Sequence, residues 1–335
     1  MAPTQDIRRL PAVVRLCLGI LLLVAVTAPA AQPGRVVAIG DVHGAIDELR
    51  ALLEATELTD RDQQWTRGSN TLIQTGDLTD RGAGVRAVLD LMMRLETDAA
   101  EAGGRVLVVL GNHDTMSLMA NLRDTTPGLL AAFADAESES RREEGYADYL
   151  ALVAAQSDAL GPIAPQPQSR SAWMDTHPPG FLEYIDAFGP DGRYGRWLRS
   201  KPVVVRVGDS IFLHDGLHPS GPTDLDEING QARRELETYD RQRRQFIDRG
   251  LILPFSTFQE TLATVSRELV RWHQTNASLL GLPSPCLVNQ DAAHNLSRHR
   301  EAMRSTLPRQ VVRPVATSAS RTLALSWATN AALVN

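Results

Sequence analysis

Three short stretches of the chain concentrate residue types that can do chemistry: Gly40-Asp41-Val42-His43-Gly44, Gly76-Asp77-Leu78-Thr79-Asp80-Arg81-Gly82 and Gly111-Asn112-His113-Asp114. A further histidine, His214, closes the apolar run Ser210-Ile211-Phe212-Leu213. Asp41 and His43 stand two apart on one loop, so both side chains can point the same way. A carboxylate with an imidazole suits borderline divalent metals such as Mn, Fe or Zn. Asp77 adds a carboxylate able to bridge two ions, Asn112 an amide oxygen and His214 a second imidazole. Together these five would hold two divalent metal ions about 4 Å apart, an arrangement that activates a water and clamps both oxygens of an in-line phosphoryl displacement. His113 is suited to protonating the leaving oxygen, with Asp80 to orient it and favour its charged form. Arg81 is the natural clamp on the non-bridging phosphate oxygens.

Taken one at a time these signals are weak. Gly-Asp-x-His-Gly alone could be a turn with a capping aspartate, Asp80 and Arg81 a structural ion pair, and His214 a satisfied core histidine. Their order, each behind an apolar run that reads as a strand, makes them one site.

The elements that must position them follow from hydrophobic spacing. Arg35–Ile39 ends at the first motif, a run ending at Gln74 precedes the second, and Arg105–Leu110 precedes the third. Ile46, Leu49, Leu52 and Leu53 then follow at helical spacing, as do Val85, Val88, Leu89, Met92 and Leu95, which predict a helix over roughly 83–101. Strand, loop and helix in repetition predict an α/β core with its chemistry just after the strands. No dinucleotide-binding or P-loop motif is present.

From about 118 to 160 the chain reads as a polar helical insertion, with the charge run over 137–144 as a solvated face and a breaker-rich loop over 161–167. This insertion directly follows Gly-Asn-His-Asp, which suggests a lid or substrate wall. Runs at Val203–Val207 and Ser210–Leu213 around Gly208-Asp209 predict a hairpin that delivers His214. Thr223 or Asp224 is placed to cap an amphipathic helix bearing Leu225, Ile228, Ala232, Leu236 and Tyr239. Phe258, Leu262, Val265, Leu269 and Trp272 give a second helix a regular core stripe.

With 335 residues, 43% apolar and 22% charged, the chain has the composition of a globular protein. Its first thirty residues stand apart. Arg8, Arg9 and Arg15 precede the apolar run over 16–26 and then Ala28-Pro29-Ala30, the pattern of a cleaved secretory signal over residues 1–30. The expected location is therefore periplasmic or secreted, with an uncleaved anchor as the alternative and no stable membrane insertion after cleavage. Loss of the three arginines and Asp6 of that segment takes the net charge from −6 to −8, which speaks against nucleic acid as a partner. Cys286 would then be the sole cysteine, excluding an internal disulfide.

These motifs resemble those of the calcineurin-like metallophosphoesterases, and more narrowly the PPP-type phosphatases of the Shewanella-like group: GDxHG at 40–44, GDxxDRG at 76–82, GNHE at 111–114, and a later histidine in Leu213-His214-Asp215-Gly216-Leu217. The resemblance spans roughly residues 35–290, including Gly192–Arg199, and leaves 291–335 as an atypical C-terminal segment. It implies a β-sandwich flanked by helices, a two-metal centre, and hydrolysis of phosphomonoesters, with phosphorylated protein or a small phosphomonoester as substrate. A degenerate metal-binding relative with little turnover, and a phosphodiesterase or nucleotide pyrophosphohydrolase, are the alternatives. Three positions depart from the pattern. Asp114 replaces the glutamate, Asp215 stands where glycine is usual, and Gln310–Thr317 lacks the late metal-binding histidine, with His294 and His299 as weak substitutes.

Overall fold

In the computed structural model, residues 34–66, 68–217 and 221–279 are described. Strands β1 (Val36–Ile39), β2 (Thr71–Gln74) and β3 (Arg105–Val108) form a parallel sheet in the order β1-β2-β3. The pairing is in step, with Ile39 opposite Gln74 and Gln74 opposite Val108. All three strands therefore stop at one level, and the three motif loops leave from the same edge of the sheet. That is where open parallel sheets gather ligands.

Helix α1 (Ile46–Ala55) follows β1, and α2 (Val85–Glu101) follows β2. On α2 the five apolar positions read from spacing, Val85, Val88, Leu89, Met92 and Leu95, are all fully buried. On α1, Leu49 and Leu53 are buried, whereas Leu52 turns to solvent. The third motif opens a short helix, α3 (Asn112–Leu118).

The helical stretch then runs further than the expected 118–160. It comprises α4 (Pro127–Ala131), α5 (Ser138–Leu160), α6 (Arg170–Thr176), α7 (Phe181–Phe188) and α8 (Arg193–Arg199). Helices α7 and α8 pack on α3, and their Tyr184, Phe188 and Leu198 belong to the same core as Leu72 and Met92. The charge run on α5 is not wholly solvated. Arg142 is buried, donating from Nε to the His177 carbonyl at 2.6 Å and from Nη2 to the Met174 carbonyl at 2.8 Å. A guanidinium offers enough donors to satisfy itself on two carbonyls and a carboxylate, which makes this burial tolerable.

Strands β4 (Val204–Val207) and β5 (Ser210–Leu213) form the expected antiparallel hairpin, Val204 opposite Leu213. The Leu110 amide donates to the Pro202 carbonyl at 2.8 Å, which ties the end of the parallel sheet to the approach of β4. The architecture is thus α/β, rich in helices, with two small sheets. Asp224, not Thr223, caps α9 (Leu225–Asp248), accepting from the amides of Asp226 and Glu227. Helix α10 is Phe258–Leu279. Its expected core stripe is only half realised: Phe258 is buried, but Leu269 is exposed. The cluster that α10 joins, Met119, Tyr239 and Phe258 with Leu262, ends one turn along the helix. Among the described residues no helix is long and apolar enough to cross a membrane. The signal segment, His294, His299, Cys286 and Gln310–Thr317 lie outside the described residues.

Candidate metal centre

The loops that carry the motifs are backbone devices before they are side-chain devices. His43, Asp77, Asp80 and Arg81 all have positive φ, at 45°, 59°, 66° and 65°. Non-glycine residues are strained there and stay only where the surroundings over-determine them, a pattern concentrated at functional sites. Gly111 is fixed by proximity: a Cβ on it would lie 2.2 Å from Asp77 Oδ1.

One carboxylate holds the loops in register. Asp114 is fully buried, and its Oδ2 accepts from the amides of Asp77 (2.8 Å) and Gly111 (3.0 Å) while Oδ1 accepts from Leu78 (3.0 Å) and Thr79 (3.2 Å). Burial pushes its pKa up, and the four amides, two of them facing each oxygen, favour the anion.

Around Asp77 the donor atoms converge in two groups. In one, His43 Nε2 lies 3.5 Å from Asp41 Oδ2 and 3.7 Å from Asp77 Oδ2. The His43 ring is oriented by its Nδ1–H, which donates to the Thr79 carbonyl at 2.8 Å. Its Nε2 is consequently a lone pair, buried and without a hydrogen-bond partner. In the other group, His214 Nδ1–H donates to the Thr75 carbonyl at 3.1 Å, while Nε2 lies 3.0 Å from Asn112 Oδ1 and 3.2 Å from Asp77 Oδ2. Three acceptor atoms at that spacing need a proton or a metal cation among them. Backbone carbonyls on the Nδ1 side of both rings are the support that metal-binding histidines require. The donor chemistry fits divalent metal, with Asp77 common to the candidate groups and Asp41, at the exposed rim, close to His214 as well as to His43.

Without a cation, the charges answer the same geometry. The hydrogen bond to Asp77 raises the His214 pKa to about 9, against the effect of burial. Burial alone would raise the Asp77 pKa, but the His214 hydrogen bond and the His113 amide bring it below the usual carboxylate range.

His113 sits beside that set with both ring nitrogens already partnered. Its Nδ1–H donates to Asp80 Oδ2 at 2.9 Å, and its Nε2 accepts from Arg81 Nη2 at 3.0 Å. Asp80 is fully buried; burial raises its pKa, opposed by hydrogen bonds from His113 and Thr125. His113 Nε2 is also 4.0 Å from Asp77 Oδ2, close enough to fall with His43 and Asp77 into one possible ligand group. Arg81 Nη2 occupies that nitrogen.

All eight residues singled out from sequence thus meet at one end of the parallel sheet. Sequence reasoning missed Thr75 and Thr79, whose carbonyls orient the two histidines. It also missed Thr125, whose Oγ1 donates to Asp80 Oδ1 at 2.9 Å. Asp124, with Oδ2 3.8 Å from His113 Nδ1 and 2.8 Å from Arg123 Nη2, was missed as well. No local pattern marks any of them; Asp124 and Thr125 fall inside the stretch over 118–160 that reads as a polar helical insertion.

A sequence profile described as calcineurin-like phosphoesterase matches residues 34–253, more than half of the chain. Shewanella-like protein phosphatase 2 of Arabidopsis thaliana is 31% identical over 194 residues, covering 56% of this chain and 47% of the relative. The symmetrical bis(5'-nucleosyl)-tetraphosphatase of Neisseria meningitidis is 26% identical over 200 residues, covering 59% of this chain and 50% of its own. A solved cold-active protein-tyrosine phosphatase of a psychrophilic Shewanella species aligns at TM-score 0.43 with 27% identity, over 61% of this chain and 50% of that one. The chain spans about half the length of the curated relatives it matches.

Proposed function

This chain belongs to the calcineurin-like phosphoesterase family, and on that premise we propose that it is a metal-dependent phosphomonoesterase acting on phosphoprotein or small phosphomonoesters. The observation that carries the reading is the pair of histidines whose Nε2 atoms converge on Asp77, one of them buried without any partner. Asp41, His43 and Asp77 would hold one cation, and Asp77, Asn112 and His214 the other. Two divalent cations held there supply a low-pKa water and offset the charge of the phosphoryl oxygens.

The chain's own residues do the rest. Arg81 is exposed at the mouth and pairs with phosphate oxygens, which takes its Nη2 off His113 Nε2. His113, freed there and held by Asp80 at Nδ1, takes up a proton from solvent at Nε2 and passes it to the leaving oxygen. Asp80 stabilises the imidazolium that makes this possible.

A second reading, hydrolysis of dinucleoside polyphosphates, draws on the similarity to the bis(5'-nucleosyl)-tetraphosphatase. A panel of p-nitrophenyl phosphate, a phosphotyrosine peptide, a phosphoserine peptide, bis(p-nitrophenyl) phosphate and diadenosine tetraphosphate separates the two. Metal-dependent turnover of the monoesters at least tenfold above the other two supports the proposal. Preference for diadenosine tetraphosphate replaces it with the second reading.

A further inference from the structure

The helical stretch after Gly-Asn-His-Asp touches the acid pair directly. Segment Asp124-Thr125-Thr126 lies along Asp80 and Arg81 through three bonds. The Arg81 amide donates to the Asp124 carbonyl at 3.2 Å, Thr125 Oγ1 to Asp80 Oδ1 at 2.9 Å, and Thr126 Oγ1 to the Arg81 carbonyl at 3.0 Å. Asp80 has two carboxylate oxygens, and Thr125 holds the one that His113 does not.

Residues 118–121, just before that segment, are gripped from three later helices. Arg199 Nη2 on α8 donates to the Leu118 carbonyl at 3.2 Å, and Tyr239 Oη on α9 to the Met119 carbonyl at 2.7 Å. From α10, the Phe258 amide donates to the Ala120 carbonyl at 2.9 Å and Gln259 Nε2 to Asn121 Oδ1 at 2.8 Å. Ala120 has φ 55°, a strained value held in place by those contacts. Beside it, Tyr184 Oη on α7 donates to Ser117 Oγ at 2.8 Å, which donates to Thr79 Oγ1 at 3.0 Å. Elements far along the chain thus hold residues 117–121, from which the chain runs on to Thr125.

We propose that Thr125 is a positioning residue of the acid pair: its hydroxyl fixes the Asp80 carboxylate so that His113 presents Nε2 to the leaving oxygen. The proposal rests on the phosphomonoesterase reading above. A carboxylate anchored at one oxygen only can rotate about its Cβ–Cγ bond, and the imidazole it orients follows.

A proton donor matters most when the leaving group is poor, so leaving-group dependence reports on this role where simple loss of activity does not. Thr125→Val keeps the shape and removes the donor; Thr125→Ser keeps the donor and removes the methyl. The expected result for Thr125→Val is a kcat about tenfold lower on phenyl phosphate but within about threefold of wild type on p-nitrophenyl phosphate, with KM unchanged on both. Thr125→Ser should restore both rates. Equal losses on the two esters, a loss shared by Thr125→Ser, or no loss at all would overturn the positioning role while leaving the phosphatase intact. Wild-type protein that turns over neither ester with added Mn overturns the parent reading and this one with it.

Discussion

Replacing Asp114 by asparagine should loosen the metal centre without touching any metal ligand. The carboxylate accepts four backbone hydrogen bonds, two on each oxygen, and they come from both the second and the third motif loops. An asparagine keeps one acceptor oxygen and turns an NH2 toward the other two amides, so two bonds vanish and donors face donors. Hydrogen bonds to a charged acceptor contribute about 1.5–3 kcal/mol each, so the gross loss is about 3–6 kcal/mol. Relief of a fully buried charge offsets part of it, leaving about 2–4 kcal/mol, a large share of a typical folding stability. Equilibrium urea unfolding of the metal-free protein measures this as a lower midpoint with an unchanged slope. Mn affinity should weaken as well, because either pair released, Asp77 with Gly111 or Leu78 with Thr79, frees the loop that carries Asp77. Asp114→Glu, which keeps both oxygens on a longer arm, should lose less than Asp114→Asn. An asparagine variant within about 0.5 kcal/mol of wild type would refute the idea that this carboxylate staples the loops.

Three further outcomes follow from the same geometry. The His214 pKa, raised to about 9 by Asp77, means that the ion pair stabilises the metal-free protein fully below the unfolded histidine pKa and loses that contribution as pH rises through about 9. The metal-free melting temperature should therefore fall between about pH 6.5 and 9, and His214→Ala should flatten that dependence. Gly111→Ala places a methyl 2.2 Å from Asp77 Oδ1 and should cost at least tenfold in Mn affinity by titration calorimetry, with the fold retained by circular dichroism. We also propose that the chain is exported: the mature form should start near residue 31 by N-terminal sequencing, and retention of the full-length chain in the cytoplasm would contradict that.

How much of this the sequence discloses depends on distance along the chain. Seven of the eight candidate site residues were legible because each lies in a strand–loop–helix unit, where glycine spacing and an apolar run are local signals. The same holds for α2, whose buried face follows its spacing residue by residue, and for the β4–β5 hairpin that presents His214. Leu269 misled because a helical stripe says that one face is apolar, not that a partner lies along its whole length. Arg142 misled because charge in a run reads as solvated, whereas carbonyls brought in by α6 satisfy it in the interior. Thr125 and the carbonyls of Thr75 and Thr79 were invisible for a related reason: their partners are set by tertiary placement. The positive φ values of Asp77, Asp80 and Arg81 were equally hidden, since no glycine marks them.

The central claim is that Asp77 lies between two cation positions and that the chemistry depends on both. The most direct test is Mn-dependent hydrolysis of p-nitrophenyl phosphate by residues 31–335, with bound metal counted in parallel, for wild type and Asp77→Asn. The account predicts two metal equivalents and metal-dependent turnover in the wild type, with both lost in the folded variant. Wild-type turnover that survives Asp77→Asn, or a folded wild type that binds no metal, would contradict it.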